Sequence, residues 1–266
     1  RSVGPWSMNT PHTGGMAYDK NQPQIPHAAI TMEDAMMLGR LADRGESVVL
    51  SLYMEAHFED DVPSRNVVGE LRGSEKPEEV VVLGGHIDSW DVGQGAMDDA
   101  GCVAAWQAVK LMKDLGLRPR RTVRVVMWTN EENGLRGGNA YHDAHQDELK
   151  NHVLAMESDS GVFKPSGFGF TGSDRAREII EQIASFLDPI EAGEIRSSGG
   201  GADIGPIMKE GVPGMGLNVN GSKYFWYHHT NADTMDKLDP HNVNLCVAAM
   251  AVMAYVVADL PETLPR

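Results

Sequence analysis

The chain has 266 residues, which is enough for one large domain with a sizeable hydrophobic core. Hydrophobic residues make up 41% and charged residues 23%, as in folded globular proteins, and no stretch approaches the roughly 18 uninterrupted apolar residues of a membrane span. The net charge of -15 would repel a phosphate backbone or an anionic membrane surface, which excludes nucleic acid and membrane as partners.

The first sixty residues predict a small unit that precedes the main domain. Residues 1–23 are rich in Gly, Pro, Ser and Asn, which is typical of an extended lead-in. Residues 25–30 predict a strand, Thr31 the N-cap of a helix, and residues 47–56 a second strand. An acidic, Pro-containing break then predicts a domain boundary near residue 62.

Beyond this boundary, apolar runs typical of buried strands alternate with patterns typical of helices. The predicted elements are, in chain order, two adjacent strands at 66–73 and 78–85, a helix at 99–115, a strand at 122–129, a helix at 138–149, a strand at 152–158, and helices at 173–187 and 242–260. This alternation predicts an α/β fold with a three-layer αβα arrangement around one sheet.

Acidic and imidazole side chains follow successive predicted strands, at the edge where open α/β sheets keep their sites. They are His86 and Asp88, Asp98 and Asp99, Glu131 and Glu132, Glu157 and Asp159, with His228 and His229 in a later loop. Any one of them alone is typical of a helix cap or a solvated loop residue. Capping does not explain four successive strand ends, and a cluster of carboxylates without a cation would repel itself. The pattern therefore predicts a metal site.

The ligand types narrow the choice of ion. Cys102 and Cys246 are too few for a cysteine zinc site or a disulfide framework, and we expect both to be free, buried thiols. A set of His and carboxylate ligands suits Zn²⁺, with Mn²⁺ or Co²⁺ as substitutes. The number of ligands exceeds the need of one catalytic zinc and fits a two-metal centre with a bridging carboxylate.

Five motifs together resemble the co-catalytic zinc aminopeptidase and glutamate carboxypeptidase family. In chain order they are GGHIDSWD, GAMDDAG, NEENG, MESDSG and HHTNADT. The resemblance runs from about residue 24 to the C-terminus and implies the three-layer αβα zinc-exopeptidase fold. It also implies that residues 1–62 are a partial protease-associated, or apical, segment with a linker. Residues 63–266 would then be the C-terminal portion of a dizinc peptidase catalytic domain.

The same resemblance implies two zinc ions per chain, with a role for each ligand. His86 and Asp159 would bind one ion, Glu132 and His229 would bind the other, and Asp98 would bridge the two.

Further roles follow from the same resemblance. Asp88 would orient the His86 imidazole as an outer carboxylate, and Glu131 would be the general base. The peptide bond between Asp98 and Asp99 is often cis in this pattern. The Gly-rich segment 199–201 resembles a substrate-side loop, but it lacks the Tyr that some family members use to support the oxyanion.

The resemblance implies an exopeptidase that hydrolyses dipeptides or short peptides with a free N-terminus. The carboxylates of the site, with Glu157 and Asp203, would attract an ammonium group, whereas Arg196 and Lys223 keep recognition of a C-terminal carboxylate open. The alternatives are a single-zinc amide-processing enzyme, such as a glutaminyl cyclase or deacylase, and a non-catalytic receptor-like module. By resemblance alone, we expect a secreted or exported protein that forms a homodimer.

Overall fold

The computed structural model describes residues 9–15, 19, 21–23, 25–55, 57 and 59–266. Of the lead-in expected at 1–23, residues 1–8, 16–18 and 20 lie outside the described residues. The α-helices and strands are α1 (Met32–Asp43), β1 (Val67–Leu71), β2 (Lys76–His86), α2 (Ala100–Asp114), β3 (Arg121–Trp128), α3 (Arg136–His145), β4 (His152–Glu157), β5 (Pro165–Thr171), α4 (Asp174–Ala184), β6 (Glu194–Arg196), α5 (Gly205–Met208), β7 (Gly214–Val219), α6 (Tyr224–Tyr227) and α7 (Pro240–Asp259). Short 3-10 helices lie at Gln146–Asn151, Ser185–Ile190, Gly221–Lys223 and Met235–Lys237.

One seven-stranded sheet organises the fold, with the strand order β1-β3-β2-β4-β7-β5-β6. The four central strands β3, β2, β4 and β7 are parallel, whereas β1 is antiparallel to β3 and β5 is antiparallel to β7. Parallel strands place their carboxyl ends at one edge of a sheet. The segments that follow β2, β3, β4 and β7 therefore meet at the same edge.

Helices cover both faces of the sheet, because side chains alternate between the two faces along each strand. Val81 and Leu83 of β2 belong to a large hydrophobic cluster with α2, α4 and α7, whereas Val80 and Val82 belong to a second cluster with α3 and α5. Trp128, which is fully buried, is the largest side chain of the second cluster. The predicted three-layer αβα architecture is confirmed.

The closing helix α7 is the one helix in the described part of the chain that is long and apolar enough to cross a membrane. In the structure, Met250, Met253 and Ala254 are fully buried in the large hydrophobic cluster that covers the sheet. The apolar composition of α7 is therefore that of a core helix.

Two strands predicted near the start of the chain do not form. Residues 25–30 and 47–55 have no regular secondary structure and pair with no strand among the described residues. Helix α1 between them does form, and the Thr31 hydroxyl caps it by accepting the N–H of Asp34 at 3.0 Å. An apolar run becomes a strand only when a neighbour satisfies its backbone groups. The sequence pattern alone does not supply that neighbour.

The sheet also differs from the sequence prediction in two respects. Strands β1 and β2 are consecutive in the chain but are not neighbours, because β3 lies between them and pairs with both. Strands β5, β6 and β7 were not predicted. Strand β6 has only three residues, and β5 and β7 contain glycines that weaken a strand pattern.

Candidate metal centre

His86 and Asp159 come together although 73 residues separate them. His86 is the last residue of β2, and Asp159 follows β4, its parallel neighbour in the sheet. The Nε2 atom of His86 lies 3.0 Å from Oδ1 of Asp159, and the His86 side chain is 2% exposed. These two residues are the pair that the family resemblance assigns to one zinc ion.

The other predicted ligands meet beside this pair. The Nε2 atom of His229 lies 2.5 Å from Oε1 of Glu132 and 3.2 Å from Oδ2 of Asp98. Glu132 follows β3, Asp98 precedes α2, and His229 follows α6. The structure therefore brings together all five predicted ligands at the carboxyl edge of the parallel strands. Their role as metal ligands stays a prediction.

The arrangement of donor atoms places Asp98 between two groups of possible ligands. Among the described residues, two groups have donor atoms within 4.8 Å of one another, Asp98 with His228 and His229, and Asp98 with His86 and Asp99. Asp98 is common to both groups, as a bridging carboxylate requires. Two residues outside the predicted set, His228 and Asp99, each offer a donor atom within 4.8 Å of one from Asp98.

Two residues of the centre have an unusual backbone conformation. Asn130, which precedes the Glu131–Glu132 pair, has a φ of 59°, and His229 has a φ of 58°. A positive φ costs energy for a residue with a side chain and is enriched at functional sites. The Asp98–Asp99 peptide bond, which the family pattern suggests is often cis, is trans here, and no cis bond occurs among the described residues.

Asp88 has a different contact from the one expected. Its carboxylate accepts the backbone N–H groups of Glu131 at 3.0 Å and of Glu132 at 3.3 Å. The His86 ring instead faces the main-chain carbonyl of Asp88, with Nδ1 2.8 Å from that oxygen, and Oδ1 of Asp99 is 3.3 Å from the same nitrogen. The Asp88 side chain thus fixes the Glu131–Glu132 turn, and its main chain holds the imidazole.

The electrostatics of the centre indicate an excess of negative charge. Burial lowers the pKa of His86, but the hydrogen bond with Asp159 and the surrounding carboxylates outweigh burial and raise the pKa to about 12. Burial raises the pKa of Asp99 to about 9 and that of Glu131 to about 7. Near neutral pH, His86 and Asp99 therefore hold protons, and these protons neutralise part of the negative charge that a bound cation would otherwise neutralise. A divalent cation fits this donor set.

The predicted ligands open onto a cavity of about 380 Å³. It is lined by His86, Asp98, Glu131, Glu132, Asp159, Tyr224, Phe225, His228 and His229. Tyr224 and Phe225 were not predicted from the sequence. The Tyr224 hydroxyl donates to Oδ1 of Asp98 at 2.6 Å. The aromatic run YFWY directly before the two histidines is the signal that would have indicated them.

The Gly-rich segment is closely packed rather than a free connector. The Glu157 carboxylate accepts the N–H groups of Ala202 and Ile204 at 3.1 and 3.0 Å. A Cβ atom on Gly201 would lie 2.2 Å from Cδ of Glu157, so only glycine fits there. Glu157 and Asp203 are each 1% exposed and do not line the cavity. Neither carboxylate is therefore exposed for direct contact with a substrate ammonium group, and the expectation that their charge attracts one stays a prediction.

A comparison with protein families settles the relationship. The model of "Peptidase family M28" matches residues 66–254. The chain belongs to peptidase family M28. The resemblance deduced from the five motifs is therefore confirmed.

Individual members of the family are similar along the whole chain. Carboxypeptidase Q from Bos taurus is 50% identical and that from Homo sapiens 48% identical, each over 267 residues that cover 100% of this chain. The chain spans 57% of the length of these relatives.

Solved structures support the same fold. A crystal structure of a peptidase M28 precursor from Shewanella amazonensis has a TM-score of 0.95 and 36% sequence identity, and the match covers 100% of this chain and 61% of that chain. A zinc aminopeptidase from Bacillus subtilis has a TM-score of 0.59 at 19% identity, over 75% of this chain and 53% of that chain. At that identity, the second match shows the fold alone.

Proposed function

We propose that this chain is the catalytic part of a two-zinc exopeptidase that hydrolyses dipeptides or short peptides with a free N-terminus. The observation that carries the proposal is the meeting of five predicted ligands around one cavity, with Asp98 between the two pairs. Membership of peptidase family M28 and the similarity to carboxypeptidase Q support a metal-dependent exopeptidase.

The donor set fits zinc. In the proposed arrangement, His86 and Asp159 would hold one ion, Glu132 and His229 would hold the other, and Asp98 would contribute to both sites. Imidazole nitrogen and carboxylate oxygen are ordinary zinc ligands, and a closely spaced pair of metals suits peptide hydrolysis. Bound zinc lowers the pKa of water and polarises a carbonyl group.

Glu131 is proposed as the general base. Its side chain lines the cavity, and Asp88 fixes its backbone N–H, so the carboxylate has a defined position beside the ligands. Burial raises the pKa of Glu131 to about 7 before any cation is bound. A carboxylate beside the ions could take a proton from water and return it. Glu131 would pass this proton to the leaving amine.

Tyr224 and His228 are the proposed donors to the substrate carbonyl oxygen. The one Tyr224 hydroxyl proton, which is donated to Oδ1 of Asp98 in this structure, would turn to the substrate oxygen when Asp98 binds the ions. The Gly-rich segment offers no side chain for this purpose, whereas the Tyr224 hydroxyl and the His228 ring both line the cavity. Burial and the neighbouring Asp98 raise the pKa of Tyr224 above its ordinary value, so the hydroxyl stays protonated and can donate. A donor aimed at the developing negative charge stabilises the transition state.

The charge around the cavity favours an ammonium group over a carboxylate. Glu131 lines it and is not one of the proposed ligands, so its carboxylate would attract a free α-amino group when the other lining carboxylates bind the ions. Arg196 is paired at the surface with Glu194, which is on the same strand. Neither Arg196 nor Lys223 is among the residues that line the cavity.

The remaining expectations stay predictions. They are the assignment of residues 1–62 to an apical segment and of residues 63–266 to the catalytic domain, the homodimer, and export from the cell. Family membership is compatible with each of them.

The test combines metal analysis with a panel of dipeptides blocked at either end. We expect two zinc ions per chain, cleavage of free dipeptides, and a larger loss of kcat/KM on N-acetylation than on C-terminal amidation. Chelation by 1,10-phenanthroline should remove activity that added zinc restores. Cleavage of N-acetylated dipeptides with refusal of amidated ones would indicate a carboxypeptidase or deacylase instead.

Glu131→Gln tests the assignment of the general base. The variant should keep two zinc ions and lose roughly 10² to 10⁴-fold in kcat, because general-base assistance contributes about that much. Glu181→Gln is the matched control, since Glu181 is exposed on α4 and should leave kcat unchanged. Wild-type turnover in zinc-loaded Glu131→Gln would refute the assignment.

A further inference from the structure

Asp233 lies in the fifth motif but has no role among the ligands. It is 2% exposed, although it lies in the loop that follows His229. Its two carboxylate oxygens accept the backbone N–H groups of Met97 at 2.5 Å and of Asp98 at 3.1 Å. The carboxylate therefore binds the main chain of the residue that stands between the two ligand pairs.

Further contacts join the same two loops along their length. The N–H of Gln94 donates to the main-chain carbonyl of Asp233 at 2.7 Å, and Oε1 of Gln94 accepts the N–H of Met235 at 3.0 Å. Gly93 lies so close that a Cβ atom there would be 2.5 Å from the carbonyl oxygen of Thr230. Asp233 lies in the middle of these contacts between the two loops, and its carboxylate is the charged hydrogen-bond acceptor among them.

These contacts determine where the Asp98 carboxylate can lie. Asp98 is in the turn that precedes α2, so the helix does not fix its main chain through regular hydrogen bonds. A carboxylate that bridges two ions must hold one oxygen toward each, and a small displacement of its backbone would break one bond. Two hydrogen bonds to an ionised acceptor, from consecutive N–H groups, restrain both position and rotation.

Asp233 is poorly placed for other functions. Both of its oxygens are taken by N–H groups, and the residue does not line the large cavity that holds the predicted ligands. Direct contact with substrate or metal is therefore not its role.

We propose that Asp233 is a positioning residue, which holds the main chain of Asp98 so that one carboxylate can be shared by two metal ions. The inference rests on the proposed two-zinc function and deepens it. Outer partners of metal ligands contribute about 10- to 100-fold in metal affinity or activity. Asp233 would act in the same way, but through the ligand's backbone.

The test is Asp233→Asn, in which one N–H group faces an amide NH₂ instead of an oxygen. Metal binding is measured by equilibrium dialysis with Zn²⁺, and magnetic coupling between the ions by electron paramagnetic resonance of the protein loaded with two Co²⁺ ions. We expect about 10- to 100-fold weaker binding of at least one ion and weakened coupling. For a dipeptide substrate, kcat should fall while KM changes little.

Asp236→Asn is the matched control, because Asp236 lies three residues further on, and among the described residues its exposed carboxylate binds the Thr234 and Lys237 side chains. It should leave metal affinity and coupling unchanged. If Asp233→Asn does not fold, Asp233→Glu keeps the charge and displaces it by one methylene group. The same losses are then expected in Asp233→Glu.

Wild-type affinity for both ions with unchanged coupling, in whichever of these variants folds, would overturn the inference. That result differs from failure of the proposed function, which would show in the wild-type protein as fewer than two bound zinc ions or no peptidase activity.

Discussion

Acid should destabilise the protein through one buried histidine that lies outside the metal centre. His152 is 1% exposed at the start of β4. Its Nδ1 atom lies 3.1 Å from the carbonyl oxygen of Glu148, and its Nε2 atom lies 2.9 Å from the Tyr141 hydroxyl. Arg124 donates to the same hydroxyl at 2.8 Å, so Tyr141 has its own proton free to donate to Nε2. This network requires the neutral imidazole with its proton on Nδ1.

The size of the effect follows from the pKa of His152. Burial is the main cause that lowers this pKa from 6.5 to about 4. Between these two values the unfolded chain binds a proton and the folded chain does not, so stability is highest above pH 6.5 and falls as the pH drops toward 4. Because one pH unit corresponds to about 1.4 kcal/mol, the loss approaches 3 kcal/mol at pH 4.

The assay compares the wild-type protein with His152→Gln by urea unfolding between pH 4 and pH 7, in the presence of a chelator. The chelator keeps metal loss out of the difference between the two proteins. Relative to wild type, the variant should gain about 3 kcal/mol on going from pH 7 to pH 4.

His142→Gln is the control for this assay. His142 lies near the surface, and its hydrogen bond with Asp143 raises its pKa. The protonated His142 therefore stabilises the folded protein at low pH, so His142→Gln should lose stability relative to wild type as the pH falls, whereas His152→Gln should gain it. Parallel curves for the wild-type protein and His152→Gln would refute the reasoning.

Two further predictions concern the candidate metal centre and the Gly-rich segment 199–201. Asp98→Asn should lose both metal sites together, as metal analysis would show, and two tightly bound zinc ions in this variant would contradict a bridging role. Gly199→Ala should destabilise the fold by about 1–3 kcal/mol in urea unfolding, since the new Cβ atom would lie 1.9 Å from the carbonyl oxygen of Gly169. Gly39→Ala in exposed α1 should instead raise the free energy of unfolding, because no atom lies within 4 Å of the new Cβ and alanine favours a helix. Equal stability of Gly199→Ala and wild type would show that the loop can move aside.

Much of the central fold could be predicted from local sequence patterns. The continuous apolar runs of β2, β3 and β4 and the spacing of α2, α4 and α7 are properties of short segments, and each was predicted within a few residues. Patterns at 25–30 and 47–55 were equally strand-like but failed, because strand formation depends on a partner and not on the run itself. The glycine-containing strands β5 and β7 show the converse, since their pairing overrides weak local preferences.

The sequence by itself determined the chemical type of the site. It supplied the acidic and imidazole residues, their order along the chain and their places after strands, which together indicate the family. Only the tertiary structure decided which atoms meet. The Tyr224 hydroxyl reaches Asp98 across 126 positions of the chain, and Asp233 binds the Asp98 backbone across 135. It also decided that the Asp88 carboxylate binds the Glu131–Glu132 backbone and that Asp203 is buried away from the cavity. The sequence specifies the type of each residue, but the contacts of its side chain depend on how distant segments pack together.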